Sequence, residues 1–127
     1  MLETHLYEYA VIRFVPKVER EEFLNVGIIL FSKKAKYLKI KYHLEEYKLS
    51  TFASEADMEC FYKNLESFEK ICEGQKDGGF IATLDLAERF RWLTAIRSTC
   101  IQTSRPHSGL SDDMDKTLNR LLEELVL

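Results

Sequence analysis

The stretch Phe23–Ser32, FLNVGIILFS, decides the fold that this sequence predicts. It is nearly all apolar, which is typical of a central β-strand covered on at least one face. Asn25 and Gly27 interrupt the apolar run. A glycine inside a strand often marks a β-bulge or the close approach of another backbone. The two-residue period of a strand puts Asn25 on the same face as Phe23 and Gly27.

Strands are also predicted on both sides of this stretch. Leu6–Val15, LYEYAVIRFV, is rich in aromatic and β-branched residues and ends at Pro16, which cannot donate to a ladder. Tyr37–Tyr42, YLKIKY, alternates apolar residues with lysines, so one of its faces is expected in solvent. Ser98–Thr103 is a candidate fourth strand. The SRPHSG segment that follows contains proline and glycine and is predicted as a loop.

Helices are predicted for most of the second half of the chain. Leu44–Thr51 suggests a short helical turn, and Ser54 is the expected N-cap of a long amphipathic helix that ends at Gly74. A third helix is predicted from Leu84 to about Thr94 with Thr83 as its cap. The last helix is expected to begin at Ser111–Asp113. Two apolar stripes are expected to be buried, and they consist of Met58, Phe61, Leu65, Phe68 and Cys72 and of Met114, Leu118, Leu121, Leu122 and Leu125.

The order of strands followed by helices predicts an α+β fold. We expect a mostly antiparallel sheet of three to four strands, covered by helices on one face. The length of 127 residues fits a single domain spanning residues 1–127. A hydrophobic content of 46% is enough for a core, and 31% charged residues of both signs argue against disorder.

Composition also argues against several classes of protein. The net charge of −3 does not fit a bulk binder of polyanions. The three cysteines have no CxxC spacing, which argues against a disulfide framework and against a zinc site, so we expect no metal and no cofactor. Free thiols fit a reducing cytoplasm. No apolar stretch approaches the roughly 20 residues of a membrane helix, and the first residues do not resemble a signal peptide.

One segment near the end of the chain differs in composition from the rest. Phe90–Leu110, FRWLTAIRSTCIQTSRPHSGL, holds three arginines, a histidine and the only tryptophan, and it contains no acidic residue. Arginine offers a planar fork of donors that matches carboxylate or phosphate. We predict that polar residues of this segment and of the first two strands converge on one partly exposed site, formed by Arg13, Asn25, Arg91, Arg97, Gln102 and His107. Glu22 is the first internal carboxylate expected to pair with them, which would make the cluster structural.

Several motifs make the chain similar to a known family. EYAVIRFVP, EFLNVGIILFS and FRWLTAIRSTCIQTSRPHSGL resemble small bacterial proteins catalogued as domain-of-unknown-function family thirty thirty-seven. The resemblance covers nearly the whole chain. Members of that family are often encoded beside a HipA-type serine/threonine kinase homologue, which implies a kinase-like partner protein. Gene neighbourhood is association and not chemistry.

Three classes of function remain open at this point. The first is a non-catalytic module that regulates or escorts a partner protein such as that kinase homologue. The second is an enzyme or binder of a phosphate-containing ligand, in which Arg13, Arg91 and Arg97 hold the anion and His107 acts as general acid or base. The third is a nucleic-acid binder, which the modest lysine clusters and the acidic total disfavour. No motif marks a serine or cysteine nucleophile.

Overall fold

The computed structural model describes residues 3–95 and 99–127. Within these residues five strands form one antiparallel sheet: β1 (His5–Phe14), β2 (Leu24–Ser32), β3 (Tyr37–Tyr42), β4 (Ile101–Thr103) and β5 (His107–Ser111). β1 lies at the centre of the sheet. It pairs with β2 along one edge and with β4 and β5, one after the other, along its second edge. β3 pairs with the outer edge of β2.

Four α-helices pack on this sheet, namely α1 (Glu46–Phe52), α2 (Glu55–Glu73), α3 (Leu86–Leu93) and α4 (Met114–Leu125). α2 begins and ends where the sequence predicts. The Ser54 and Asp57 side chains form a reciprocal capping box, and Gly74 ends the helix in the left-handed conformation at φ 67°. None of the helices in the described ranges combines the length and the apolar character needed to cross a membrane.

The helices lie on both faces of the sheet, and this corrects the prediction that they cover one face. One core joins β1 and β2 residues such as Ile12, Phe14 and Ile29 to α2 and α3 through Phe61 and Phe90. The other core joins the alternate β-strand residues to α4, and its members are Tyr7, Val11, Ile28, Leu30, Met114, Leu118, Leu121 and Leu122. Because β2 is apolar on both of its faces, a cover on one face alone would leave half of this strand in water. The α+β fold class itself is confirmed, with five strands in place of three to four.

β5 is a second correction. The sequence predicts a loop there because of Pro106 and Gly109, yet His107–Ser111 pairs with His5–Tyr9 of β1. Gly109 stands opposite Tyr7, and a Cβ atom at this position would collide with the Tyr7 ring. The glycine therefore lets the tyrosine ring lie against the backbone of the neighbouring strand, and it does not end the strand.

The N-cap of α3 is the third correction. Asp85, and not Thr83, caps this helix, because its carboxylate accepts a hydrogen bond of 2.8 Å from the Glu88 N–H. The Thr83 hydroxyl donates to the Phe80 carbonyl in the 3-10 turn that precedes the helix. α3 consequently begins at Leu86, two residues later than predicted.

Candidate functional site

A row of three polar side chains crosses the sheet where α4 ends. Arg13 of β1 lies directly opposite Asn25 of β2 and, on its second edge, opposite Gln102 of β4. Residues that face each other across an antiparallel pair project from the same face. All three are half-buried. The structure therefore brings three of the six predicted site residues side by side, and we call Asn25, Arg13 and Gln102 the polar row.

A β-bulge in β2 creates this row. Ile12 pairs with Gly27 and the next residue, Arg13, pairs with Asn25, so that Val26 is the extra residue. The bulge turns Asn25 to the α4 face, whereas Gly27 lies opposite Ile12, whose side chain belongs to the core under α2. The expectation that Asn25 and Gly27 share a face is therefore wrong. A regular strand keeps the two-residue period, and the bulge breaks it.

Gly27 also marks the close approach of another backbone, which is the second feature that a glycine inside a strand predicts. A Cβ atom on Gly27 would lie 2.7 Å from the Lys41 carbonyl oxygen and 2.8 Å from Cβ of Tyr42. β3 therefore packs against a position where only a hydrogen fits. The bulge and the close approach occur together, and they fix the register that places Asn25 beside Arg13.

Arg13 is the least satisfied member of the polar row. Its guanidinium carbon lies 4.1 Å from the centroid of the Phe23 ring, in a cation–π arrangement. Its Nε is buried and has no hydrogen-bond partner in the structure. Among residues 3–95 and 99–127, no carboxylate forms an ion pair with it. A buried donor without a partner costs about 1–3 kcal/mol. A ligand that offers an acceptor to the Arg13 Nε–H would remove this cost on binding.

The other two members of the row are tied to nearby backbone. The Asn25 amide donates a hydrogen bond of 3.2 Å to the Leu125 carbonyl, at the C-terminal end of α4. Its Oδ1 is buried and has no hydrogen-bond partner among the described residues. The Gln102 amide donates to the Thr99 carbonyl at 3.1 Å. Asn25 thus fastens α4 to β2, and its unsatisfied acceptor belongs to the residue directly opposite Arg13.

Two other predicted site residues, His107 and Arg91, lie away from the row. His107 is exposed and lies opposite Tyr9, with the two ring centroids 5.4 Å apart. Tyr9 is four residues from Arg13 along β1, a separation of about 13 Å. Arg91 is exposed in the last turn of α3, which packs on the opposite face of the sheet. Arg97 lies outside the described residues.

Glu22 does not pair with Arg13. Its carboxylate lies 2.6 Å from the Arg20 guanidinium, and both side chains are more than half exposed. The prediction that Glu22 would be the internal partner of the arginine cluster is wrong, because a salt bridge to a near neighbour in the same loop occupies it. Arg13 therefore has no internal carboxylate within the described part of the chain.

Phe23 is the functional candidate that the sequence analysis missed. Its side chain is 46% exposed although it covers a half-buried arginine. The signal was present, since the two-residue period puts Phe23 on the face of Asn25, and Asn25 lies opposite Arg13. What the sequence does not contain is the register of β1 against β2.

The structure also has a surface cleft that is separate from the polar row. A cleft of about 350 Å³ lies where the loop after β1 meets the junction of α1 and α2, and it is lined by Pro16, Lys17, Arg20, Glu22, Thr51, Phe52, Ala53, Ser54 and Asp57. Its charged groups have both signs, and none of its lining residues belongs to the row. No group of three or more histidine, cysteine or acidic side chains is arranged to hold a metal ion anywhere in residues 3–95 and 99–127.

Comparison with known proteins gives one match. Searches of the curated proteins and of the solved structures found no similar protein. The model of one family, described as "Protein of unknown function (DUF3037)", matches residues 9–126. That range includes the bulge in β2, the polar row and the four strands that follow β1. Since the match spans nearly the whole sheet and all four helices, the chain belongs to the DUF3037 family.

Proposed function

We propose that this protein is a non-catalytic binding module that regulates or escorts a partner protein, and that the partner docks on Arg13 and Phe23. The observation that carries the proposal is a half-buried arginine without an acidic partner in the described part of the chain, stacked under an exposed phenylalanine. Arginine and large aromatic residues are enriched at the energetic centres of protein interfaces. An arginine held against a ring also loses little side-chain entropy on binding.

The polar row favours a partner that offers both a donor and an acceptor. Within residues 3–95 and 99–127, Arg13 Nε lacks an acceptor and Oδ1 of Asn25, the residue opposite it, lacks a donor. A peptide group or a side-chain amide of another protein supplies both, whereas an anion supplies acceptors only. Both atoms are buried in the described part of the chain. The family resemblance makes a HipA-type kinase homologue the partner to test first.

The proposal is tested by calorimetric titration of the protein with a purified HipA-type kinase homologue. We expect Arg13→Ala and Phe23→Ala to weaken the Kd at least roughly tenfold, as for residues at the centre of an interface. Arg20→Ala and Arg91→Ala are the matched controls, because both arginines are exposed and lie outside the polar row. These two variants should bind like the parent.

The melting temperature of each variant separates binding from folding. Arg13→Ala should melt within a few degrees of the parent if Arg13 serves a partner. A collapse of the melting temperature, or the absence of binding by the parent protein, would contradict the proposal. Arg13→Lys keeps the charge and loses the planar fork, so its affinity should lie between those of the parent and Arg13→Ala.

A phosphate-containing ligand is the second candidate function, and it is favoured because no carboxylate in residues 3–95 and 99–127 forms an ion pair with Arg13. Titration with inorganic phosphate alone tests it in the same instrument. If the parent shows a heat of phosphate binding and Arg13→Ala does not, the phosphate-containing ligand is favoured. If the parent shows no heat of phosphate binding, the protein partner is favoured. Nucleic-acid binding has less support, because Lys39 is paired with Asp115 and Lys41 donates to Asn119 on α4.

A further inference from the structure

Two cysteines that are 40 positions apart in sequence meet at one point of the structure. Cys60 lies on the exposed side of α2, and Cys100 is buried just before β4. Their Sγ atoms are 3.0 Å apart. A disulfide bond needs about 2.05 Å, so the two sulfurs are roughly 1 Å from bonding distance. The third cysteine, Cys72, is buried in the core under α2 and α3 and is not part of the pair.

Asn64 holds the two sulfurs in place. Its amide nitrogen lies 3.4 Å from the Cys60 sulfur and 3.3 Å from the Cys100 sulfur. The same nitrogen donates to the Cys60 carbonyl at 2.8 Å, one turn back along α2. The Cys100 backbone is fixed as well, because its carbonyl accepts a hydrogen bond of 2.8 Å from the Val15 N–H. Both sulfurs are thus positioned by contacts that do not depend on a bond between them.

We propose that Cys60 and Cys100 form a reversible redox site, in which a peroxide closes a disulfide and a small dithiol reopens it. Closure fastens α2 to the start of β4, two residues before Gln102 of the polar row. The proposal rests on the geometry of the two thiols and is independent of the proposed function.

The chemistry of closure proceeds in two steps. Peroxide first oxidises the exposed Cys60 sulfur to a sulfenic acid: an S–O bond forms, the O–O bond breaks, and the leaving hydroxide takes the Cys60 thiol proton to give water. The Cys100 sulfur then attacks the Cys60 sulfur, so that an S–S bond forms and the S–O bond breaks. The departing hydroxyl leaves with the Cys100 proton as a second water. Two thiols have lost two electrons in total, and hydrogen peroxide has accepted them.

The two cysteines have different roles in this scheme. Burial, reinforced by the hydrogen bond with Cys60, raises the pKa of the Cys100 thiol to about 12. Cys100 is therefore protonated at neutral pH and shielded from solvent, which disfavours its direct oxidation. Cys60 is the sulfur that peroxide reaches, and Cys100 is the resolving thiol next to it. The neighbouring thiol intercepts the sulfenic acid before a second peroxide can oxidise it further.

The test is treatment of the reduced, purified protein with hydrogen peroxide, followed by intact mass measurement and a count of free thiols in denaturant. We expect the count to fall from three to one, the mass to fall by that of two hydrogen atoms, and dithiothreitol to reverse both changes. The melting temperature should rise on oxidation by roughly 5 °C or more, because the bond closes a long loop of the unfolded chain.

Three variants decide between outcomes. Cys72→Ala should oxidise like the parent, and Cys60→Ser, at an exposed position, should keep both of its thiols. Cys100→Ser should gain oxygen at Cys60 without forming an internal bond. The proposal is overturned if the parent gains oxygen atoms at Cys60 while Cys100 stays a thiol, or if its only disulfide joins two chains. It is also overturned if Cys60→Ser loses thiols as fast as the parent.

Discussion

Ser104 lies between β4 and β5 and supplies the hydrogen bonds of β1 at Val11. Its side-chain oxygen accepts a bond of 2.9 Å from the Val11 N–H, and its own N–H donates to the Val11 carbonyl at 2.9 Å. Both residues are buried. A serine hydroxyl thus replaces one backbone carbonyl of the ladder, and the second edge of β1 stays satisfied along its length.

Replacement of Ser104 by alanine should destabilise the protein by about 1–3 kcal/mol, because the Val11 N–H would remain buried without an acceptor. Urea unfolding of the parent and of Ser104→Ala measures the difference. Ser108→Ala, at an exposed serine of β5, is the control and should cost less than about 0.5 kcal/mol. Equal losses for the two variants would mean that water replaces the serine hydroxyl at Val11.

At this scale the sequence predicts residue types better than residue partners. Arg13 and Asn25 attract attention because they interrupt apolar runs, and the structure places them opposite each other. Their pairing depends on the bulge at Val26, which a glycine suggests but does not locate. Cys60 and Cys100 show the same limit, since nothing local in the sequence relates two thiols that are 40 residues apart.

β3 and α4 are joined by a polar contact at the surface. The Asp115 carboxylate, in the first turn of α4, accepts a hydrogen bond of 2.7 Å from the Tyr37 hydroxyl and lies 3.4 Å from the Lys39 ammonium. These two groups, the Tyr37 hydroxyl first, hold the pKa of Asp115 below its ordinary value. A carboxyl whose pKa is lower in the folded state stabilises the protein above its unfolded pKa and loses that contribution as the pH falls through the folded pKa.

Asp115→Asn should therefore be less stable than the parent at pH 7, and the difference should shrink as the pH falls below about 4. The effect should be small, because the carboxylate is exposed to solvent and salt. This difference in stability is measured from the urea midpoints of both proteins. The measurements run from pH 7 down to the lowest pH at which both proteins are folded. Asp112→Asn is the control at a neighbouring exposed carboxylate. A difference that grows toward acid would contradict the assignment.

The alternation in YLKIKY correctly predicts that one face of β3 lies in solvent, since Lys39 and Lys41 are exposed. Lys39 and Lys41 lie opposite Leu30 and Ile28, both of which pack against α4. The lysines are exposed at the rim of a face that a helix covers, and they reach Asp115 and Asn119 on that helix. Alternation identifies the more polar face of a strand, but long lysine side chains also fit at the edge of a buried face. β2 carries the better signal, since its apolar residues on both faces require two layers of helices.

The whole molecule has two cores, one on each face of the sheet, and each contains a large side chain that the helical stripes predicted as buried. Phe61 of α2 is fully buried in the first core, and Leu122 of α4 is 7% exposed in the second. Phe61→Ala and Leu122→Ala should each cost roughly 2–5 kcal/mol through lost burial and a residual cavity. Denaturant unfolding measures both costs.

The two losses should add in the double variant to within about 0.5 kcal/mol, because the side chains lie on opposite faces and share no partner. Tyr47→Ala on α1, where the ring is 76% exposed, is the control and should change little. Near-zero losses for either core variant would mean that the helix faces are assigned wrongly. A large deviation from additivity would mean that the sheet transmits strain between the cores.

The position of β1 has a consequence for how the chain is made. β2 pairs with the first edge of β1 and follows it closely in sequence. The second edge pairs with β4 and β5, which are much later in the chain, and Ser104 lies 93 residues after its partner Val11. Contacts between residues so far apart in sequence form late in folding. The entropy cost of closing the long loop comes before the contacts that offset it. A ribosome that has finished the first three strands therefore holds an apolar ribbon in which the second edge of β1 is still open, and this open edge can pair with other nascent chains. The last strands of the sequence close that edge when they are released.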